Sequence, residues 1–227
     1  MRMGTGLGVL LAFLIAAQNV SAVPITFAFS GTTTLVGADV DDGTVSIGES
    51  VSGQFTFESD TPDSDGSTDV GSYLSAITAA EFTFGTYSGT AGSGNISVRD
   101  DYVTGFGTFD IFGALGMAAI TGSDVNGRAL ENFNLQLLDD TLTMLSSDAL
   151  PTTAPSPFRN DNANTTFLLL QFEPVLSTNI VAAQIRATVD SVSLVATDPE
   201  PSVPEPSTIL LFAASIVGLR FARLKRV

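Results

Sequence analysis

An all-β, antiparallel body, a β-sandwich or jelly roll, is the fold this sequence predicts. Three observations predict it. Apolar and polar residues alternate singly through several short runs, turn-forming Asp, Asn and Gly clusters separate those runs, and the body is rich in Gly, Thr, Ser, Phe and Val. Such a mixture favours pleated strands over helices, and turn signals at this spacing are those of an antiparallel sandwich.

The first run follows Val23. Ile25, Phe27 and Phe29 fall on one face, Thr26 and Ala28 on the other, which is the period-two pattern of a half-buried strand. Val51, Gly53, Phe55 and Phe57 then alternate with Ser52, Gln54, Thr56 and Glu58. Phe82 with Phe84, Ile96 with Val98, and Phe133 with Leu135 and Leu137 repeat the pattern. Residues Phe167 to Phe172 (FLLLQF) are nearly all apolar and predict a central strand. Ile185, Ala187 and Val189 open a last long strand running toward Val195. Asp41-Asp42-Gly43, Asp65-Gly66, Gly92 to Asn95 and Asn126-Gly127 supply turns. The stretch from Leu150 to Asn164, with three prolines, predicts a long loop. Ser72 to Ala80 (SYLSAITAA) reads as a short helix.

Charge is partitioned along the chain. Residues 23–202 hold 23 acidic side chains against four arginines (Arg99, Arg128, Arg159 and Arg186), a formal balance of −19. An acidic surface of this kind repels nucleic acid and anionic lipid and keeps the body soluble. Cysteine and histidine are both absent. That excludes disulfides, thiol catalysis, Ser-His-Asp and Cys-His constellations, and zinc sites of the usual kind. Without disulfides the body must rest on its core, and a chain of this length buries enough surface to do so.

Both ends carry address signals. Arg2 precedes an apolar stretch from Leu7 to Ala17, and Val20-Ser21-Ala22 places small residues before Val23. This predicts a signal peptide over residues 1–22, cut between Ala22 and Val23. Residues 197–207 hold four prolines and read as an extended stalk after a body at 23–196. Pro204 and Pro206 lack amide protons and disfavour helix in the residue before each, so Val203-Pro204-Glu205-Pro206-Ser207 should be extended and exposed. Thr208 to Leu219 contains no charge; as a helix it spans roughly 18 Å, less than the ~30 Å of a bilayer core. A snorkelling Arg220 lets Phe221, Ala222 and Leu224 extend it into a single transmembrane helix over 208–227. Arg220, Arg223, Lys225 and Arg226 then form a basic stop-transfer end that stays cytoplasmic and leaves the body outside.

The tail resembles the PEP-CTERM sorting domain of exported bacterial proteins, on Val203, Pro204, Glu205, Pro206 and Ser207, the apolar segment and the basic end, in that order. The resemblance implies recognition and processing by an exosortase, a membrane-embedded enzyme, in bacteria that make exopolysaccharide. It further implies a precursor anchored in the inner membrane, then a product at the cell surface or in the extracellular matrix. The runs FESDTPDSDG at 57–66, GSY at 71–73 and GNISVRDD at 94–101, with the Leu150-Pro151 loop, resemble exported bodies of that group; that likeness implies no activity.

One constellation suits a metal. Asp60, Asp63, Asp65 and Asp69 crowd one glycine-containing loop, and hard oxygen ligands around a glycine turn are what calcium takes. Asp63, Asp65 and Gly66 fit positions three, five and six of an EF-hand loop, whereas Thr61 and Ser72 stand at positions one and twelve. A solvated acidic loop is the alternative reading. Asp100-Asp101 and Asp139-Asp140 are weaker candidates, because adjacent residues on a regular strand point to opposite faces. A glycosidase needs only two carboxylates, but no apolar setting singles out a pair here. The sequence therefore predicts an exported, non-catalytic surface or matrix protein. The chief alternative is a module binding polysaccharide or another surface protein, calcium-assisted or not, and a secreted glycoside-active enzyme ranks third.

Overall fold

The computed structural model describes residues 23–160, 165–173 and 180–195. Among them are eleven strands: β1 (Pro24–Val36), β2 (Ser50–Glu58), β3 (Val70–Phe84), β4 (Tyr87–Ala91), β5 (Ser93–Thr104), β6 (Gly107–Ala118), β7 (Thr121–Gly122), β8 (Leu130–Asp139), β9 (Phe167–Phe172), β10 (Gln184–Ala187) and β11 (Ser191–Leu194). A single 3-10 turn, Ile180–Ala183, is the helical element among the described residues. Every strand pairing is antiparallel. The predicted fold class, all-β and antiparallel, is the observed one. No helix of the described residues is long and apolar enough to cross a membrane. The predicted signal peptide and the segment 208–227 lie outside the described residues.

The hydrogen-bonded network closes on itself. From β1 it runs through β2, β3, β5, β6, β8, β9 and β10 and returns to β1. The first and last parts of the body are therefore neighbours. β1 pairs with β10 through Thr33, Leu35 and Val36 and with β11 through Phe27 to Ser30. The Thr188 and Asp190 amides donate to the carbonyls of Thr32 and Ser30, at 2.9 and 2.8 Å, and carry the pairing across the gap between β10 and β11.

The alternation read in the sequence sets the inside of this ring. Phe27, Phe29, Phe55, Phe57, Phe82 and Phe84 are buried, as are Ile96, Val98, Phe133, Leu135, Leu137, Ile185, Ala187 and Val189. Rings from β1, β2 and β3 meet rings from β6 and β8: Phe82 stacks on Phe133 at 4.5 Å, Phe29 lies 5.8 Å from Phe133, and Phe55 stacks on Phe112 at 6.3 Å. Burial at roughly 2 kcal/mol per large apolar side chain makes this cluster the chief source of stability. The residues between them, among them Thr26, Ser52, Thr56, Thr83 and Ser88, face outward. An apolar inside with a hydroxyl-rich outside is the reverse of the pattern that suits strands in lipid.

The helix expected over Ser72–Ala80 is not formed; those residues lie within β3. Their burial is helix-like for a reason. Tyr73, Ala76, Ile77 and Ala80 are inside while Leu74, Ser75, Thr78 and Ala79 are outside. Two irregularities produce this: register slips between Tyr73 and Ile77 against β5, and a second slip against β2 leaves Thr78 unpaired. Ser75 adopts a positive φ of 57°. Two bulges in one strand shift the phase of a period-two pattern until it resembles 3.6. The Ser75 amide, lost to the ladder, donates to the Asn95 side-chain oxygen at 2.8 Å. The same device recurs in β6, where the amide of Gly116, at φ 59°, donates to Asn134 at 2.8 Å.

Of the predicted turns, Asn126-Gly127 has positive φ at both residues, 51° and 72°, between bridged Val125 and Arg128, as a tight two-residue reversal requires. Gly92 lies at the β4–β5 break, whereas Ser93 to Asn95 belong to β5. Residues 150–160 are irregular as expected, and 161–164 lie outside the described residues.

Candidate functional site

The four aspartates of the 59–69 loop are placed by their own backbone. The Asp63 carboxylate accepts the amides of Asp65 and Ser72, at 2.9 and 2.8 Å. Asp65 accepts the amide and hydroxyl of Ser67, at 2.9 and 2.7 Å. Those bonds, the hydroxyl first, hold the Asp65 carboxyl below its usual range. Asp60 and Asp69 are exposed. The loop is thus a pair of consecutive Asx turns, and the carboxyls shape it before they meet anything else.

Three other carboxylates, those of Asp100, Asp101 and Asp110, lie with their oxygens within 4.8 Å of one another. The expectation that Asp100 and Asp101 must point to opposite faces fails here, because their strand is not regular. Register slips between Arg99 and Tyr102, and Asp101 has a positive φ of 51°. A bulge re-aims one side chain and so brings neighbours together. Asp110 is fully buried. One of its oxygens accepts the Asp101 amide at 3.0 Å and the other accepts the Leu145 amide at 3.0 Å. Burial raises the Asp100 carboxyl above its usual range, and the charges of Asp110, Asp101 and Asp148 push it the same way. The arrangement is chemically that of an oxygen-lined acidic recess, with its deepest carboxylate already bonded to backbone on both oxygens.

Asp139 closes β8 and Asp140 follows it outside the strand, and the two side chains diverge. Asp139 is 2% exposed and is register partner to Asp110. It accepts the amides of Thr141, Thr143 and Met144 at 2.9, 2.9 and 3.1 Å, and the Thr141 hydroxyl at 2.7 Å. Burial opposes its charge, but the Thr143, Thr141 and Met144 bonds together outweigh burial and hold its carboxyl below the usual range. Asp140 reaches outward to Arg159, at 3.0 Å.

Two tyrosines and one arginine are among the other buried polar groups. The Tyr73 hydroxyl donates to the Asp148 carbonyl at 2.8 Å; burial raises its pKa, helped by Asp63 and Asp148. Burial, with a smaller push from Asp124, raises Tyr87 to about 12. Arg128 is largely buried and pairs with Asp39 at 2.9 Å. Its other guanidinium atoms donate to the carbonyls of Asp39 and Glu173, at 3.1 and 2.8 Å.

One end of the body bears on export. Val23 directly precedes β1, and its carbonyl accepts the Ser59 amide at 3.4 Å. The bond predicted to be cut, Ala22 to Val23, therefore lies just outside the first strand. Ala22, the motif Val203 to Ser207 and the basic Arg220, Arg223, Lys225 and Arg226 lie outside the described residues.

No curated protein and no solved structure gives a significant match to the chain. A family model does match over residues 202–226, that of the PEP-CTERM protein-sorting motif. The match takes in Val203, Pro204, Glu205, Pro206, Ser207 and the basic residues Arg220 to Arg226, and the chain carries a PEP-CTERM sorting motif.

Proposed function

We propose that this is an exported, non-catalytic protein of the cell surface or extracellular matrix, processed by an exosortase at or near its Pro-Glu-Pro motif. The observation that carries the proposal is the sorting-motif match at 202–226. A precursor held by its tail, with the body outside the cytoplasm, follows from the motif together with the basic end. The start of β1 at Pro24 supports removal of the leader before Val23, since no strand residue is lost by the cut. The non-catalytic reading is supported by the lack of His and Cys. It is supported also by the use of the buried carboxylates Asp110 and Asp139 as acceptors for backbone amides.

The test is replacement of Pro204-Glu205-Pro206 by alanines in a chain tagged at its C-terminus and expressed in an exosortase-bearing host. Export should persist, and the tag should stay on the protein. Loss of the tag at the wild-type rate sinks the proposal. A binding module remains the second reading, and the exposed apolar tip of the β5–β6 hairpin favours it.

A further inference from the structure

We propose that Asn126 is a latent self-modification site: the tight turn it shares with Gly127 blocks its deamidation in the folded body, and opening of that turn releases it. The proposal goes beyond the sorting and surface reading and does not depend on it.

Asn126 is the only asparagine of the chain that glycine follows. Its neighbour has no side chain to shield the backbone nitrogen, and nothing lies within 4 Å of where one would begin. Both residues are exposed, and among the described residues the Gly127 amide has no hydrogen-bond partner. The reaction needs water alone as co-reactant. The Gly127 nitrogen loses its proton and bonds to the Asn126 carboxamide carbon, and the carboxamide nitrogen leaves with that proton as ammonia. Water then opens the cyclic imide at either carbonyl, giving aspartate or its isomer linked through the side chain. Nothing is oxidised or reduced.

The fold withholds the geometry for attack. Asn126 has a φ of 51° and Gly127 one of 72°, in the left-handed well where ψ is about +47°. There the Gly127 nitrogen and the Asn126 Cβ stand on opposite sides of the Cα–C bond, so the carboxamide carbon is turned away from its attacker. Val125 and Arg128 exchange both backbone hydrogen bonds at 3.0 Å and close the turn. The Asn126 amide donates to the Asp42 carboxylate at 2.8 Å. Its Nδ2, the group that must leave, donates to the Asp39 carbonyl at 3.0 Å, and Arg128 Nε donates to the same carbonyl at 3.1 Å. Hydrogen bonds from Thr44 and then Asn126 hold the Asp42 carboxyl below its usual range, so it stays an ionised acceptor at neutral pH. Conversion runs one way. Aspartate at this position sets an acceptor against the Asp39 carbonyl and adds charge beside Asp42. The isomer also lengthens the backbone by a methylene, which a two-residue turn cannot absorb.

The test incubates the full-length chain in detergent and mildly alkaline buffer, and follows the mass and isomer content of the peptide containing Asn126. Conversion in the folded chain should be at least about tenfold slower than in the same chain in urea. Asp42→Ala, an exposed substitution that removes one charge-assisted bond, should speed conversion of the folded chain about tenfold. Asp42→Asn keeps a weaker acceptor and should fall between. Asn126→Asp, the direct product, should melt about 2–4 °C below wild type. A folded chain that converts as fast as the chain in urea overturns the proposal. Folded Asp42→Ala converting at the wild-type rate overturns it equally, and Asp42→Asn decides the point if the alanine variant does not fold. An Asn126→Asp variant that melts with wild type or above it contradicts the one-way step.

Discussion

Asp110 and Asp139 face each other as register partners on β6 and β8, both buried, and between them they hold the loop after β8. Asp139 takes the amides of Thr141, Thr143 and Met144, and Asp110 takes that of Leu145. Buried carboxyl groups are costly unless hydrogen bonds satisfy them. Here the loop backbone does so.

Replacing Asp139 by Ala should cost about 3 kcal/mol, since it strands several donors in a largely buried place. Asp139→Asn keeps one acceptor oxygen and should cost about half as much. Chemical denaturation at neutral pH measures both. Because the Asp139 carboxyl is depressed in the fold, its contribution is complete above roughly pH 4 and fades as pH falls through the folded value. The gap between wild type and Asp139→Asn should therefore narrow in acid.

Asp100 has the opposite sign. Burial and then the Asp110, Asp101 and Asp148 charges raise its carboxyl, so the folded state loses stability as pH climbs from the unfolded value to the raised one. Asp100→Asn removes that penalty. The variant should melt about 1–2 °C higher than wild type at neutral pH, a small gain because the site is partly solvated. Below roughly pH 4 the two should melt together. A higher neutral-pH melting point for the wild type would contradict the assignment.

Arg128 ties three segments together through Asp39 and the Glu173 carbonyl. Arg128→Ala leaves Asp39 and two carbonyls without these donors and should cost about 3–4 kcal/mol in urea unfolding. Arg128→Lys cannot reproduce the planar fork and should recover less than half of that loss.

Most of the core was legible in the sequence, because a period of two survives wherever the strand is regular. Phe27, Phe55 and Phe133 are buried as the alternation predicts. β3 was misread as partly helical because bulges near Ser75 and Thr78 shift the phase, and no local residue announces them. Their signal is remote: Asn95, on the next strand, offers its side-chain oxygen to the stranded Ser75 amide. The proximity of Asp100 and Asp101 was hidden by another bulge, at Asp101. β6 went unread because Gly113 and Gly116 interrupt its pattern, and ring closure through β1 is a long-range fact that local periodicity does not carry. Phe106, exposed at the β5–β6 turn, belongs to no alternating run, and the flanking Gly105 and Gly107 were a visible hint of a tip.

The intact mass of the protein recovered from outside the cytoplasm tests the central claim most directly. A chain that begins at Val23 and ends at or near Pro204 to Pro206 is the predicted product. Recovery of a chain still ending at Val227, in a host whose exosortase is active, would contradict it.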